Sequence, residues 1–227
     1  QGLLTMAMGL LLLDYPGKMA AVLFTQGCNF RCRYCHNPQL VLPECFQESI
    51  PEEEVFSFLE KRRGQLEAVV VTGGEPTIHI GLIPFLRKIR TLHYLIKLDT
   101  NGSNPAVLEK VFDQRLVDYA AMDLKAPLEE YSQMAGRFVD EDRLRKSIRL
   151  IIESGVTYEF RTTLVRPFCE AEKIAKIVKI IPDAARYILQ PFVLSERVLD
   201  QRLLEEPQYT APEVTALKQA WSRDAYR

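Results

Sequence analysis

The chain has 227 residues, of which 47% are apolar, and a formal net charge of −1 from 29 basic and 30 acidic side chains. A chain of this size and apolar content can bury a full core, which excludes an intrinsically disordered protein. No stripe of unopposed Lys and Arg is present, so we expect no nucleic-acid partner. These numbers predict one domain over residues 1–227.

The chain begins with QGLLTMAMGLLLLDYPGK, whose apolar run is too short for a bilayer span of ~20 residues. The run also lacks a basic leader and a small-residue cleavage site, so we predict neither a signal peptide nor a membrane partner. Together with the five cysteines, an odd number, this favours reduced thiols and a cytoplasmic protein. We interpret residues 1–18 as an extension that leads into the first strand.

Six apolar segments of strand length follow in chain order, and they are rich in Val, Ile, Thr and aromatic residues. They are MAAVLFT (19–25), EAVVVTG (67–73), HYLIKLDT (93–100), VDYAAMDLK (117–125), TYEFRTTLV (157–165) and ARYILQPFV (185–193). Because most of them are apolar almost throughout, they are typical of parallel strands buried on both faces.

Amphipathic segments between and after these strands predict helices, with Pro and acidic residues near their starts. They cover residues 51–65, 80–92, 104–116, 142–155, 170–181 and 211–227. Asn104 is the predicted cap of the third, and Gly155 the left-handed residue that ends the fourth. Strands alternating with helices predict a parallel α/β fold, either an open doubly wound sheet or a curved partial barrel.

Distinctive residues stand at the ends of the predicted strands. A group of three cysteines follows the first strand, and TGGEP (72–76), DTNG (99–102) and MDLK (122–125) end the next three. Arg161 lies on the fifth strand and Gln190 on the sixth. Since the carboxyl ends of parallel strands meet at one rim, we expect all of these residues to form one site.

The cysteine motif is C-x₃-C-x₂-C, formed by Cys28, Cys32 and Cys35 in QGCNFRCRYCHNP. Thiolates suit zinc or an iron–sulfur cluster. A structural zinc site usually has two cysteine pairs, whereas three ligands on a four-iron cluster leave one iron free to bind a substrate. We therefore favour a catalytic cluster over a structural ion.

Three other residues near or outside this motif could enter a metal site. Cys45 could supply a fourth ligand, but we interpret Cys45 and Cys169 as ordinary small apolar residues. His36 directly follows Cys35, which makes joint ligation of one metal awkward, so we expect it beside the metal site and not in it.

The motif, with the aromatic Tyr34 before the third cysteine, resembles the signature of the radical S-adenosylmethionine (SAM) enzymes. DYPGK, TGGEP and DTNG extend the resemblance over roughly residues 10–195. Within this superfamily the chain is similar to the glycyl-radical-enzyme activases, in particular the anaerobic ribonucleoside-triphosphate reductase activating proteins. The resemblance implies a partial (β/α)₆ barrel of parallel strands and a single radical SAM domain.

The resemblance also implies the cofactors and their ligands. Cys28, Cys32 and Cys35 would hold one 4Fe–4S cluster, with SAM on the fourth iron. The residues implied to contact SAM are Tyr34, Gly73, Gly74, Glu75, Thr100, Asn101, Asp123, Lys125 and Arg161. Asp99, Thr100 and Asp123 match a monovalent-cation site of pyruvate formate-lyase activase, where the alternative is strand-end acids bonded to neighbouring loops.

Arg161 and Gln190 lie on the fifth and sixth predicted strands. Arg161 stands in an apolar strand and requires an anion nearby, for which Glu159 on the same strand face is not an obvious buried partner. Gln190 stands where the formate-lyase activase pattern has His, so no role is carried over to it.

The implied activity is reductive cleavage of SAM, followed by abstraction of a glycine Cα hydrogen on a partner glycyl radical enzyme, anaerobic ribonucleotide reductase. A flavodoxin- or ferredoxin-type protein would supply the electron. No catalytic residue beyond the cluster and SAM is required. The chain has little left after six strand-and-helix units, and a minimal open barrel suits a substrate that is itself a protein.

Two other functions stay open at this point. One is a radical SAM enzyme of similar size that acts on a small molecule, such as a 7-carboxy-7-deazaguanine synthase. The other is a zinc-binding module without enzymatic activity, in which Cys45 joins the three cysteines of the motif.

Overall fold

A computed structural model describes residues 6–11, 14–166, 168–183 and 185–223. Its strands are β1 (Met6–Leu11), β2 (Ala20–Thr25), β3 (Ala68–Gly73), β4 (Leu95–Thr100), β5 (Tyr119–Asp123), β6 (Thr157–Leu164) and β7 (Tyr187–Pro191). Its helices are α1 (Pro38–Val41), α2 (Glu52–Lys61), α3 (Leu82–Thr91), α4 (Pro105–Asp113), α5 (Tyr131–Ala135), α6 (Glu141–Glu153), α7 (Ala171–Val178) and α8 (Ala211–Trp221).

The seven strands form one sheet in strict chain order, from β1 to β7. β2 to β7 are all parallel, which confirms the six predicted strands. A doubly wound sheet reverses its strand order at a switch point, and no reversal occurs here. Crossovers between parallel strands are right-handed as a rule, so crossovers that all run in one direction place the helices on one side of the sheet, as in the predicted partial barrel.

The first strand of the sheet was not predicted. β1 pairs antiparallel with β2, from Met6 opposite Thr25 to Leu11 opposite Ala20. The 1–18 extension therefore contains an edge strand. Its leucine-rich run has no period-2 alternation and few β-branched residues, which are the signals that mark a strand in a sequence.

The two faces of the sheet bury different side chains. Alternate residues of β2 to β6, such as Leu23, Val71 and Leu98, pack against the helices in the main apolar core. The inner face of β2 and β3 is also apolar, with Val22 and Val70 in contact with a smaller buried cluster. The inner face of the later strands is polar and carries Lys97, Asp99, Tyr119, Asp123, Glu159, Arg161 and Thr163.

The six longer helices lie within or close to the predicted segments, and α2 and α7 end earlier than predicted, at Lys61 and Val178. Gly155 has the predicted left-handed conformation, with φ of 74°. The Asn104 side chain does not cap α4 and donates instead to the carbonyl oxygen of Thr77. Of the predicted C-terminal helix, residues 211–221 are helical, and residues 224–227 lie outside the described part. None of the helices in the described ranges has the length and hydropathy that a membrane-spanning segment needs.

Candidate cofactor site at the carboxyl end of the barrel

One cavity of about 790 Å³, including its part open to solvent, collects the residues that follow the parallel strands. Every residue predicted to contact the cluster or SAM lines it: Cys28, Cys32, Tyr34, Cys35, Gly73, Gly74, Glu75, Thr100, Asn101, Asp123, Lys125 and Arg161. Asp99, predicted only for the cation site, lines it too. The structure therefore brings all the predicted site residues together, whereas Gln190 is exposed and outside the lining.

The cysteine loop, residues 28–35, is held by backbone hydrogen bonds from two distant segments. Arg31 N donates to Ala135 O at 2.7 Å, which ties the loop to α5. On the other side Leu199 N donates to Cys35 O and Asp200 N donates to Arg33 O, both at 2.9 Å. These bonds fix an otherwise irregular segment, so the three thiols are held in place before any ligand binds.

The three thiols lie in a largely desolvated environment. Burial raises the pKa of Cys28 to about 11 and that of Cys32 to about 12, and it raises the pKa of Cys35 as well. In the metal-free protein they are neutral thiols near pH 7, and iron would displace their protons on binding. Three sulfur donors that face one cavity fit the ligand set of a 4Fe–4S cluster.

The remaining cysteines and His36 lie apart from this donor set. Cys45 is exposed and does not line the cavity. Cys169 is buried and its thiol donates to Thr163 O at 3.2 Å. His36 lines the cavity, but its Nε2 lies 2.6 Å from Val193 O and its ring stacks on Phe192. Among the described residues, no three His, Cys, Asp or Glu side chains surround a single ion position.

Glu75 joins the ends of β3 and β4. Its side chain is fully buried, and its Oε1 accepts from Thr77 N and Thr77 Oγ1 and, at 2.8 Å, from Thr100 Oγ1. Its Oε2 accepts from Asn101 N at 2.6 Å. Burial raises the pKa of this carboxyl, although the four hydrogen bonds oppose that shift. Most of its acceptor capacity is therefore used by the protein itself.

The two glycines before Glu75 are required by the packing of backbone on backbone. A Cβ at Gly73, whose φ is 118°, would overlap the backbone of Thr25. A Cβ at Gly74 would overlap the carbonyl oxygen of Gly27, next to the first cysteine. Both glycines were predicted to contact SAM, and the structure shows that they admit the close approach of backbone at and after the end of β2.

Arg161 finds its anions within the protein. Its Nη1 lies 3.2 Å from Asp99 and its Nε 3.0 Å from Asp123, with Glu159 3.8 Å away. Sequence reasoning considered only Glu159, on the same strand, as a partner for Arg161. It missed Asp99 on β4 and Asp123 on β5. Burial alone would lower the pKa of Arg161, but these carboxylates raise it well above its ordinary value.

Lys125 completes the charge pairing at the rim of the cavity. Its Nζ lies 3.0 Å from Asp123 and 5.8 Å from the centre of the Tyr34 ring. Burial alone would raise the pKa of Asp123, but Lys125 and Arg161 hold it well below its ordinary value. Because Asp99 and Asp123 already have cationic partners, the monovalent cation stays a prediction.

Sequence reasoning missed several residues of the site. Asn101 Nδ2 donates to Asn29 Oδ1, and Asn29 Nδ2 donates to Ser103 Oγ, which joins the cysteine loop to the end of β4. Deeper in the barrel Lys97 is only 2% exposed and lies 3.4 Å from both Asp99 and Glu159. The alternation of side chains along β4 would have placed Lys97 on the same face as Asp99.

Residues 22–179 match the sequence-family model of the radical SAM superfamily. This range contains the cysteine loop and the ends of β2 to β6. The chain belongs to the radical SAM superfamily. Membership makes it an enzyme and implies a 4Fe–4S cluster and SAM as its cofactors, as the cysteine motif predicted.

Two relatives of the chain within the radical SAM enzymes are named as activating enzymes. A protein of Methanocaldococcus jannaschii, named as a glycyl-radical enzyme activating enzyme, is 33% identical over 185 residues, 79% of this chain and 75% of its own. The pyruvate formate-lyase-activating enzyme of Staphylococcus aureus is 35% identical over 86 residues, 34% of this chain and 30% of its own. The predicted resemblance to radical SAM activases is confirmed by these matches.

The fold is shared with solved radical SAM structures. SuiB of Streptococcus suis, bound to S-adenosylmethionine, superimposes with a TM-score of 0.65 at 17% identity over 85% of this chain. The match spans 44% of the SuiB chain, so this chain corresponds to less than half of that protein. At this identity the likeness establishes the common barrel.

Proposed function

We propose that this radical SAM enzyme activates a glycyl radical enzyme. The observation that carries the proposal is the single cavity in which Cys28, Cys32 and Cys35 face the ends of β3 to β6, in a chain 33% identical to a named activating enzyme. When bound, the cluster and SAM would supply reductive cleavage of the sulfonium and a radical that abstracts a glycine Cα hydrogen. The partner we propose is anaerobic ribonucleotide reductase.

The residues of the chain would bind and orient SAM. Tyr34 is buried beside Lys125 and offers an aromatic face to the adenine. Lys125 and Arg161 line the cavity and are paired with Asp99 and Asp123, and their remaining N–H groups would donate to a carboxylate of SAM. Glu75 would act by holding the backbone of Asn101 and the Thr100 hydroxyl in position.

The rim of the cavity supports a protein as the substrate. Ile78, 38% exposed, lies against Gly27 beside the cysteine loop, and Val193, 68% exposed, holds His36 through its carbonyl oxygen. Exposed apolar side chains next to a cavity are typical of a surface that meets another protein. The five free cysteines support a cytoplasmic location.

The test is an anaerobic assay on reconstituted protein. With dithionite and SAM we expect 5′-deoxyadenosine, and with the partner reductase we expect the electron paramagnetic resonance signal of a glycyl radical. Cys32→Ala should abolish both products, whereas Cys45→Ala, at an exposed cysteine outside the cavity, should abolish neither.

The same assay separates the other two functions. If 5′-deoxyadenosine accumulates but no glycyl radical enzyme acquires a radical, the chain acts on a different substrate. If the protein takes up zinc and never an iron–sulfur cluster, and Cys45→Ala removes that zinc, the site is structural and the proposal is wrong.

A further inference from the structure

The cysteine loop has a second face, turned away from the cavity. Phe30, Cys32 and Tyr34 line the cavity, while Arg31 and Arg33 alternate with them. These two arginines line a separate surface groove. Its other lining residues are Gly136, Leu199, Asp200, Gln201 and Arg202. The cysteine loop therefore lies between the cofactor cavity and the groove.

The groove is positively charged, in a chain whose net charge is −1. Three arginines and one aspartate line it, so three positive charges against one negative leave an excess of two. Asp200 lies 2.5 Å from Arg33 Nε and 2.8 Å from Arg202 Nε. The side chain of Arg202 is still 80% exposed, so its charge is available to a partner.

The edge of the groove adds one more cation and an aromatic side chain. Arg137 follows Gly136 in sequence and is exposed, and Phe138 beside it is 88% exposed. Gly136 itself lies close to the cysteine loop, because a Cβ there would come within 2.6 Å of Arg31 O. An exposed aromatic next to charged residues is typical of the centre and rim of a protein–protein contact.

We infer that this arginine groove is the docking surface for the electron donor, a small acidic redox protein. The inference rests on the proposed function, because a cluster that cleaves SAM reductively must receive an electron from outside the chain. A donor in the groove would be separated from the cluster by the cysteine loop alone. It would leave the cavity open, so donor and substrate protein would not compete for one surface.

A protein fits this groove better than a nucleic acid. Nucleic-acid binding depends on many phosphate contacts along a backbone. Here the arginines are few, an aspartate stands among them, and Phe138 lies exposed at the edge. Charge complementarity over such a compact area would raise the association rate of an acidic protein, and salt would screen that attraction.

The experiment combines Arg137→Glu and Arg202→Glu, which reverse two exposed charges at the groove. The double variant is made in the full chain and tested with its cluster. A matched control, Arg149→Glu with Lys179→Glu, makes the same change in net charge. Both control residues are exposed, near the end of α6 and just after α7, where the chain enters the amino ends of the next strands. They therefore lie at the opposite end of the barrel.

Formation of 5′-deoxyadenosine is measured with three reductants: dithionite, a purified flavodoxin and a purified ferredoxin, both proteins reduced beforehand. For the groove variant we expect the rate with a protein donor to fall by about tenfold or more at low salt. The rate with dithionite and the cluster content should stay at the wild-type level. The control variant should behave as wild type with every reductant.

The outcomes also separate this inference from the proposed function. Equal loss in the groove and control variants, no loss in either, or a wild-type protein that accepts electrons from neither protein donor would overturn the docking surface. A wild-type protein that forms no 5′-deoxyadenosine even with dithionite would overturn the proposed function itself.

Discussion

At the scale of single residues, Glu75 is a motif carboxylate whose hydrogen bonds are made within the protein. Four hydroxyl or amide groups from three residues donate to it: two from Thr77, one from Thr100 and one from Asn101. The carboxylate thereby sets the conformation of two strand ends that line the cavity. Its effect on SAM would pass through the backbone that it holds.

Glu75→Gln tests this role. The amide nitrogen would face donors that now bond to a carboxylate oxygen, so we expect the free energy of unfolding to fall by about 1–3 kcal/mol. SAM binding should weaken, while iron and sulfide contents stay unchanged. Calorimetric titration of SAM and urea unfolding would measure these effects. Weakened SAM binding with unchanged stability would show that Glu75 contacts SAM directly.

Cys169 gives a pH dependence that does not involve the cluster ligands. Burial raises its pKa from 9.0 to about 11. Because the folded protein holds this proton more tightly than the unfolded chain does, the contribution of the neutral thiol to stability is fully present below pH 9.0. It is lost as the pH rises toward 11. Between these values the unfolded thiol loses its proton first, so unfolding becomes easier by up to about 1.4 kcal/mol per pH unit.

Urea unfolding of the cluster-free protein at pH 8, 9 and 10 would measure this dependence. As the pH rises, the free energy of unfolding of Cys169→Ala should decrease less steeply than that of wild type. The difference between the two slopes should be at most about 1.4 kcal/mol per pH unit. Parallel decreases in the two proteins would contradict the effect of burial on this thiol. Wild type and variant share all other titrating groups, so these cancel in the comparison.

At the scale of elements, the segment after β7 packs against the cysteine loop, although it follows the last strand. Phe192 packs on His36 and lies 6.3 Å from the Tyr34 ring, measured between ring centres. Further on, Asp200 reaches Arg33 with both its backbone and its side chain. This contact ties the cysteine loop to a part of the chain more than 160 residues away.

Asp200→Ala should therefore make the cluster more labile. The matched control is Asp140→Ala, since both aspartates accept hydrogen bonds at the start of a helical segment. We expect each variant to lose about 0.5–2 kcal/mol of stability. Only Asp200→Ala should speed the loss of cluster absorbance in air, by severalfold. Equal rates for both variants would mean that Asp200 has no particular role in holding the loop.

The elements that could be predicted from the sequence are those with a clear period or cap. All six parallel strands and the six longer helices follow from such patterns, whereas α1 and α5 have only four and five residues. Helices this short show less than two turns of periodicity, so their signal is weak. Their positions depend on contacts with the cysteine loop, such as the bond of Arg31 to Ala135.

The sequence predicts which residues form the site, but not which of their charged side chains form ion pairs with one another. Strand-end motifs placed Asp99, Asp123 and Arg161 at one rim, and the structure brings them together. The sequence could not show that Arg161 binds both carboxylates, because that depends on the register of β4, β5 and β6. Pairing between strands is a long-range property that a local pattern does not contain.

At the scale of the whole molecule, a single domain over residues 1–227 is a prediction that an unfolding experiment can test. Strands β2 to β6 each pair with the strand before and the strand after, β7 pairs with β6, and the main apolar core extends across β2 to β7. We expect the cluster-free protein to unfold in one cooperative transition. Two separate transitions by circular dichroism and tryptophan fluorescence would contradict a single domain over residues 1–227.

The backbone bonds from Leu199 and Asp200 to the cysteine loop have a consequence for assembly of the enzyme. During synthesis the loop emerges early, but these two anchors emerge only after β7 has been made. Until then the loop lacks these two bonds, although Cys28 and Cys35 remain partly exposed in the completed fold. The cysteine loop therefore reaches its final, anchored form only after the last strand of the sheet has been made.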